Sequence, residues 1–181
     1  MLIKFLKIRD VKSPARTAGN AGFDFFVPNC DSEGAFEEAC NNKGCKLEKP
    51  DGTHEVPFFR VAPHTSVCIP SGIKSLIPSN EALIAMNKSG IALKRHLDVG
   101  ACVIDPSYEG EIHMHLTNTS NDFVEISCGD KIVQFVPIVY DSEDAIVEDA
   151  NGDTEGKKEA EFYKGHNSER GAGGFGSTGT R

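Results

Sequence analysis

Ile112-His113-Met114-His115-Leu116-Thr117 alternates apolar and polar side chains without a break. Successive side chains of a strand point to opposite faces, so this period-2 pattern predicts a half-buried β-strand. Runs of the same character lie on either side of it. Leu2 to Ile8, Ser66 to Ile69, Ile73 to Ile77, Ala82 to Met86 and Phe123 to Ile126 all read as strands. Ile132 to Tyr140 is a longer β-branched run with the composition of a strand buried on both faces. Pro63-His64, Pro70-Ser71-Gly72, Pro78-Ser79-Asn80 and Cys128-Gly129-Asp130 punctuate these runs as turns. Only Gly90 to Leu97 has helical character. Many short strands at close spacing predict an all-β barrel or sandwich of jelly-roll type, with one short helix.

The 181 residues suit a single domain spanning 1–181. The formal net charge of −8 argues against a nucleic-acid or membrane surface, because both carry negative charge. A small anionic ligand stays compatible with that charge where local cations or a metal ion neutralise it. No apolar run approaches a membrane span, and the N-terminus lacks a long apolar stretch. A cytoplasmic protein with reduced thiols is therefore expected. The six cysteines are irregularly spaced. A zinc site from Cys30, Cys40, Cys45 and His54 is the weaker alternative to ordinary loop cysteines. Residues 29–56 are polar and read as an excursion between two strands. Residues 141–169 are acidic, then mixed in charge, and read as a solvated connector to the C-terminal arm.

Five segments have the residue types of a phosphate-handling site. In Asp98 to Gly110, Val103 and Ile104 lead into Asp105, and Asp105-Pro-Ser-Tyr108 is a turn sequence. A hairpin there presents a carboxylate able to take a proton from water, or simply a turn cap, with Tyr108 beside it as a flat face for a sugar. Asn87-Lys88-Ser89-Gly90 precedes the helical stretch, with Ser89 as N-cap and Lys88 as a cation near free N–H groups. In isolation it reads more readily as a plain helix cap. Ala21-Gly22-Phe23-Asp24-Phe25 sets an acid between aromatics, as a structural element or as a partner to a hydrated metal ion. In Gly129-Asp130-Lys131-Ile132-Val133-Gln134 a turn feeds a buried strand from which Gln134 projects. The end of the chain, Arg170 to Arg181, is glycine-rich with one ring, Phe175, and the hydroxyls of Ser177 and Thr178. Such a segment suits a lid: glycines let backbone approach phosphate closely, and arginine offers a planar fork.

In this order, the five segments resemble the five motifs of the trimeric dUTP pyrophosphatase (dUTPase) family. Ala21 to Asp24 is similar to motif one, Lys88 to Gly90 to motif two, Asp98 to Gly110 to motif three, Gly129 to Gln134 to motif four and Arg170 to Gly179 to motif five. The resemblance spans most of the chain, outside residues 29–56 and about 141–165. It implies a jelly-roll-like β fold (a distorted jelly-roll or β-clip barrel), a homotrimer with shared sites, and Mg²⁺-dependent hydrolysis of dUTP to dUMP and pyrophosphate. That reaction limits uracil incorporation into DNA. By the same resemblance, Asp105 activates the water that attacks the α-phosphorus. Tyr108 stacks on the deoxyribose, and the backbone around Cys102 and Ile104 reads the uracil edge. Lys88, Ser89, Gly90 and Gln134 bind phosphates. Asp24 meets the metal through water. Arg170, Phe175, Gly176, Ser177 and Thr178 close over the nucleotide as a mobile arm, residues 170–181.

The chain departs from the family pattern at Lys88 and Lys131, where arginine is usual, and at Cys102, where glycine is common. The 29–56 insert is also longer than the usual connection and is a candidate site for a protein partner. Two rival readings remain: a dCTP deaminase, which needs a glutamate where this chain has His115, and a non-catalytic nucleotide sensor.

Overall fold

The structure, a computed structural model, describes residues 2–30, 45–48, 52–141, 149, 151–152 and 154–165. The C-terminal arm and its predicted site residues, Arg170, Phe175, Gly176, Ser177 and Thr178, lie outside the described residues, as does Cys40. The chain divides into two units, Met1–Ser142 and Glu143–Arg181.

The first unit is almost entirely β. Its strands are β1 Lys4–Lys7, β2 Phe23–Phe26, β3 Cys45–Glu48, β4 Phe58–Val61, β5 Ser66–Pro70, β6 Ile73–Leu76, β7 Glu81–Asn87, β8 Leu97–Val99, β9 Val103–Ile104, β10 His113–Asn118, β11 Val124–Ser127 and β12 Lys131–Val139. One helix, α1 Ser89–Arg95, lies between β7 and β8. The strands form four small sheets, ordered β1-β6, β5-β10-β8, β11-β4-β3 and β2-β12-β7-β9. Every strand pairing among the described residues is antiparallel. This is the mostly β architecture expected, built as several sheets around one core rather than as a closed barrel. No helix among the described residues is long and apolar enough to cross a membrane.

In β10, the opening hexapeptide behaves as its alternation predicts. Met114 and Leu116 are buried, as is Ile112 just before the strand, while His113, His115 and Thr117 are half-buried. The run at 132–140 differs from its prediction. Ile132, Val133 and Phe135 are buried, but Ile138 and Val139 are exposed, so the strand leaves the core in its second half. The rings of Phe25 and Phe135 pack with centroids 4.5 Å apart, and Phe5 meets Phe25 edge-on at 5.6 Å. The turn at Pro70-Ser71-Gly72 requires glycine. Gly72 has φ 72°, and a Cβ there would sit 3.0 Å from both Arg9 and Val11.

Several features escaped the sequence pattern, among them strands β2, β4 and β8, which no predicted run covered. The segment 98–117 is not a hairpin, because β9 pairs with β7 while β10 pairs with β5 and β8. The turn after Ile104 therefore carries the chain from one sheet to another. The 29–56 excursion contributes an edge strand, β3, to β4. Cys30 and Cys128 are joined in a disulfide, which corrects the expectation of reduced thiols throughout. Their separation of 98 residues hides the pairing from any local reading. That bond also removes Cys30 from the alternative zinc site, and His54 is engaged by Glu125 at 3.0 Å.

In the second unit the expected connector contains a further short helix, α2 Lys157–Phe162. Its sequence, Lys-Lys-Glu-Ala-Glu-Phe, is rich in strong helix formers. The Ala160 N–H donates to Gly156 O at 3.1 Å, and the Phe162 and Tyr163 rings meet edge-on.

Asn118 is fully buried at the end of β10. Its Nδ2 donates to the carbonyls of Val61, Ala62 and Asp122 at 3.2, 3.1 and 2.8 Å, and its Oδ1 accepts from Ser120 N at 2.9 Å. Replacement by an apolar isostere strands these carbonyls. Asn118→Leu is expected to lose about 3 kcal/mol of stability, from the cost of leaving buried acceptors unpaired. Urea unfolding checks this, and an unchanged midpoint would remove Asn118 as a structural hub.

Candidate active site

The sheet β2-β12-β7-β9 carries residues from motifs one, three and four, and motif two follows directly on β7. Strand β12 is central to the grouping. On one edge Gln134 stands opposite Asp24 of β2, and on the other it stands opposite Met86 of β7. Gln134 Nε2 donates to Asn87 O at 3.0 Å. Gly22 lies close beneath: a Cβ there would be 3.2 Å from Gln134 Oε1 and 3.1 Å from Val136 Cγ2. Motifs one, two and four therefore meet at one end of this sheet.

Electrostatics ties that end together. Lys88 Nζ donates to Asp24 Oδ1, and Lys131 Nζ lies 3.0 Å from Asp24 Oδ2. Partial burial by itself pushes the Asp24 carboxyl upward, but the hydrogen bonds and charges of Lys88 and Lys131 outweigh it. They hold the group below the usual carboxylate value. Both positions at which the resemblance leads to an expectation of arginine, Lys88 and Lys131, thus converge on one carboxylate. Each lysine brings a point charge rather than a fork.

Helix α1 starts one residue earlier than its expected cap implies. Lys88, not Ser89, is the N-cap, and it makes no side-chain capping bond. The first intrahelical bonds run from the Ile91 and Ala92 N–H groups to Lys88 O, both at 2.9 Å. The amides of Ser89 and Gly90 precede them and are not consumed within the helix. The helix is tied to motif four by Arg95, whose Nη1 donates to Asp130 Oδ2 at 2.7 Å and whose Nη2 donates to Glu125 O. Asp130 also accepts from Ser127 N at 3.0 Å, so its carboxylate shapes the turn that delivers Lys131.

Asp105 is exposed at the end of β9, in the turn the sequence predicts, with Tyr108 N donating to Asp105 O at 3.1 Å. Tyr108 Oη donates to Glu111 O at 2.8 Å, and the ring lies over Gly110, where a Cβ would fall 2.4 Å from ring atoms. Glu111 anchors this turn to the N-terminal region. It accepts Arg9 Nε and Nη2 at 2.8 and 2.9 Å and Gly72 N at 2.7 Å. Burial raises the Glu111 carboxyl, but Arg9 and the Gly72 amide outweigh it and leave the group below its ordinary range. Ile104 packs partly buried against the core, while Cys102 is a free and exposed thiol whose carbonyl accepts Ala85 N at 2.7 Å.

Not all predicted residues meet within one chain. Ile104 pairs with Leu83 near the start of β7, whereas Lys88 follows its last residue, Asn87. Asp105 is level with Ala82 in this register, so it and Lys88 are roughly 20 Å apart along the strand, at about 3.3 Å per residue. Sequence reasoning also missed Glu111 and Arg9, and it quoted Asn87 without giving it a role. Asn87 Oδ1 accepts Val99 N at 2.7 Å and its Nδ2 donates to Asp98 Oδ1 at 3.0 Å. No local signal marks Arg9 and Glu111, which are 102 residues apart. A cleft of about 670 Å³ lined by Lys94, His96, Asn121 and Phe123 among others contains none of the predicted residues.

Comparison with known proteins bears on this geometry. The dUTPase family model matches residues 58–179. The chain belongs to the dUTPase family. A deoxyuridine 5'-triphosphate nucleotidohydrolase of Picosynechococcus sp. is 34% identical over 129 residues, covering 70% of this chain and 81% of that one. A mutant of the Staphylococcus bacteriophage 80alpha dUTPase, with dUpNHpp, superposes with TM-score 0.63 at 17% identity and covers 98% of both chains. A mutant dUTPase from phage phi11 of S. aureus gives TM-score 0.57 at 16% identity, covering 83% of this chain and 99% of that one. These solved dUTPases support the fold, and the family match runs through motifs two to five.

The lysine clamp has a pH signature. Because the folded Asp24 titrates below its unfolded value of about 3.9, its contribution to stability is complete above that value. It is lost as pH falls through the folded value. Carboxyl NMR of Lys88→Met/Lys131→Met is expected to show Asp24 shifted upward, and the stability gap to wild type to shrink under acid. An Asp24 titration that does not move would break the clamp assignment.

Proposed function

We propose that this chain hydrolyses dUTP to dUMP and pyrophosphate, with Asp105 as the base. The family match through motif three carries the reading, together with an exposed Asp105 held on a turn anchored by Glu111 and Arg9. The Asp105 carboxylate takes a proton from water. The water oxygen then bonds to the α-phosphorus, and the bond from that phosphorus to its bridging oxygen breaks to release pyrophosphate. Tyr108 packs on the deoxyribose, and the backbone of residues 100–104 meets the uracil edge. Ser89, Gly90, Lys88 and Gln134 hold the phosphates, and residues 170–181 close over them. Positioning and charge neutralisation supply most of such a rate enhancement, and closure excludes water.

Magnesium fits as an ion carried in on the triphosphate. Among the described residues no group of three His, Cys, Asp or Glu is placed to cage a metal, and both oxygens of Asp24 are engaged by lysines. Mg²⁺ commonly keeps several waters and uses substrate phosphates as ligands, so Asp24 would reach it through water. The ion supplies neutralising charge to the phosphates. The similar phage phi11 protein coordinates a structural Mg(II) ion.

The distance between Asp105 and Lys88 along β7 favours a site assembled from more than one copy, consistent with a homotrimer. The cytoplasm, where the nucleotide pool is, is the proposed location.

Incubation with dUTP, dCTP, dTTP and UTP plus Mg²⁺ is expected to yield pyrophosphate from dUTP alone. Ammonia from dCTP would instead favour deamination. Asp105→Asn is expected to lower kcat by about 10²–10⁴-fold, the usual weight of a general base, with binding of α,β-imido-dUTP preserved. Mixed assemblies of Asp105→Asn chains with chains lacking residues 170–181 should recover activity that neither has alone. Failure to recover any would argue against a shared site.

A further inference from the structure

The segment that connects β8 to β9, Gly100-Ala101-Cys102, is exposed, yet three contacts inside the protein hold it. Gly100 N donates to His115 O at 3.0 Å, extending the β8-β10 ladder by one residue. Cys102 O accepts Ala85 N at 2.7 Å, which fixes the other end on β7. Between them, Ala101 N donates to the side chain of His115, to Nδ1 at 3.2 Å. That bond requires an unprotonated Nδ1, so the neutral ring carries its proton on Nε2.

The ring also dictates the residue above it. A Cβ on Gly100 would lie 1.8 Å from His115 Nδ1 and 2.3 Å from Cε1. Gly100 is needed here for space and not for an unusual backbone angle. The imidazole thus fills the space directly beneath the segment while its nitrogen takes the one amide in the middle of it. A strand side chain and a glycine act as a matched pair.

We infer that His115 is a positioning residue for base recognition, holding the 100–102 backbone in the conformation that meets the pyrimidine edge. This rests on the preceding assignment of residues 100–104 to the base. Removing the nitrogen acceptor frees the Ala101 amide and lets the segment reorient, which weakens ground-state and transition-state binding alike. Chemistry at the phosphorus is untouched, because Asp105 is held separately by β9 and by the turn to Tyr108.

The test compares His115→Leu, which keeps bulk and loses the acceptor, with His115→Asn, whose amide oxygen can stand in for Nδ1. His115→Leu is expected to raise KM for dUTP about tenfold, a typical value for one lost hydrogen bond, with kcat changed less than about threefold. Discrimination against dCTP should fall with it, and His115→Asn should restore most of both. An unchanged KM in the Leu variant, or an Asn variant no better than Leu, would overturn the inference. Wild-type chain that does not turn over dUTP would instead overturn the underlying functional reading, whatever the variants do. A measurement independent of variant folding is the ¹⁵N spectrum of the wild-type protein. The Ala101 amide should shift on addition of α,β-imido-dUTP, and an unmoved Ala101 amide would sink the proposal.

Discussion

Strand β12 hydrogen-bonds along both of its edges, and the candidate site depends on that double pairing. A ladder has no freedom of register once one face is buried, since a one-residue slip would turn every side chain over. Burial of Ile132, Val133 and Phe135 locks the strand. Asp24, Gln134 and Met86 then have to lie in one row across three strands. The motifs come from the two ends and the middle of the unit, and the ladder is what makes them neighbours.

Within that row the charges complete the arrangement. A half-buried carboxylate is costly to desolvate, and two lysines from different motifs offset the cost. The net charge of −8 would repel a triphosphate at long range, so the local balance around Asp24 matters more than the total. Away from that row, Arg9 and Glu111 make a bidentate pair that ties the N-terminal region to the turn bearing Asp105 and Tyr108. The two polar clusters do different jobs. One gathers cations near the helix start, and the other stiffens the turn that presents the base.

Strands with clear alternation or a long apolar run were legible because such patterns report directly on which face is buried, while β2, β3, β4 and β8 were not. β10 is the clear case, with Met114 and Leu116 inward and His113 and His115 alternating with them. The turns at Gly72 and Gly129 were legible for a related reason: both need positive φ, which few other residues supply. Legibility failed wherever the partner was remote. Val103-Ile104 looked like one arm of a hairpin because Asp105-Pro-Ser-Tyr108 is a good turn, but its strand partner is β7. Ser89 looked like a helix cap because serine usually is one, yet Lys88 takes the position while its side chain serves Asp24. Helix α2 was missed by weighing its charge and not its helix propensity.

What the sequence by itself determined was the β character, the turn positions and the motif residues in their order, because these depend on side-chain type and short spacing. Tertiary structure alone decided which motifs share a sheet and that Lys88 and Lys131 act on the same carboxylate. It also decided that Cys30 meets Cys128, and that His115 lies beneath Gly100. The physical reason is that hydrogen-bond registers, ion pairs and close packing join residues tens to a hundred positions apart. Their strength depends on distances in space that no local pattern encodes.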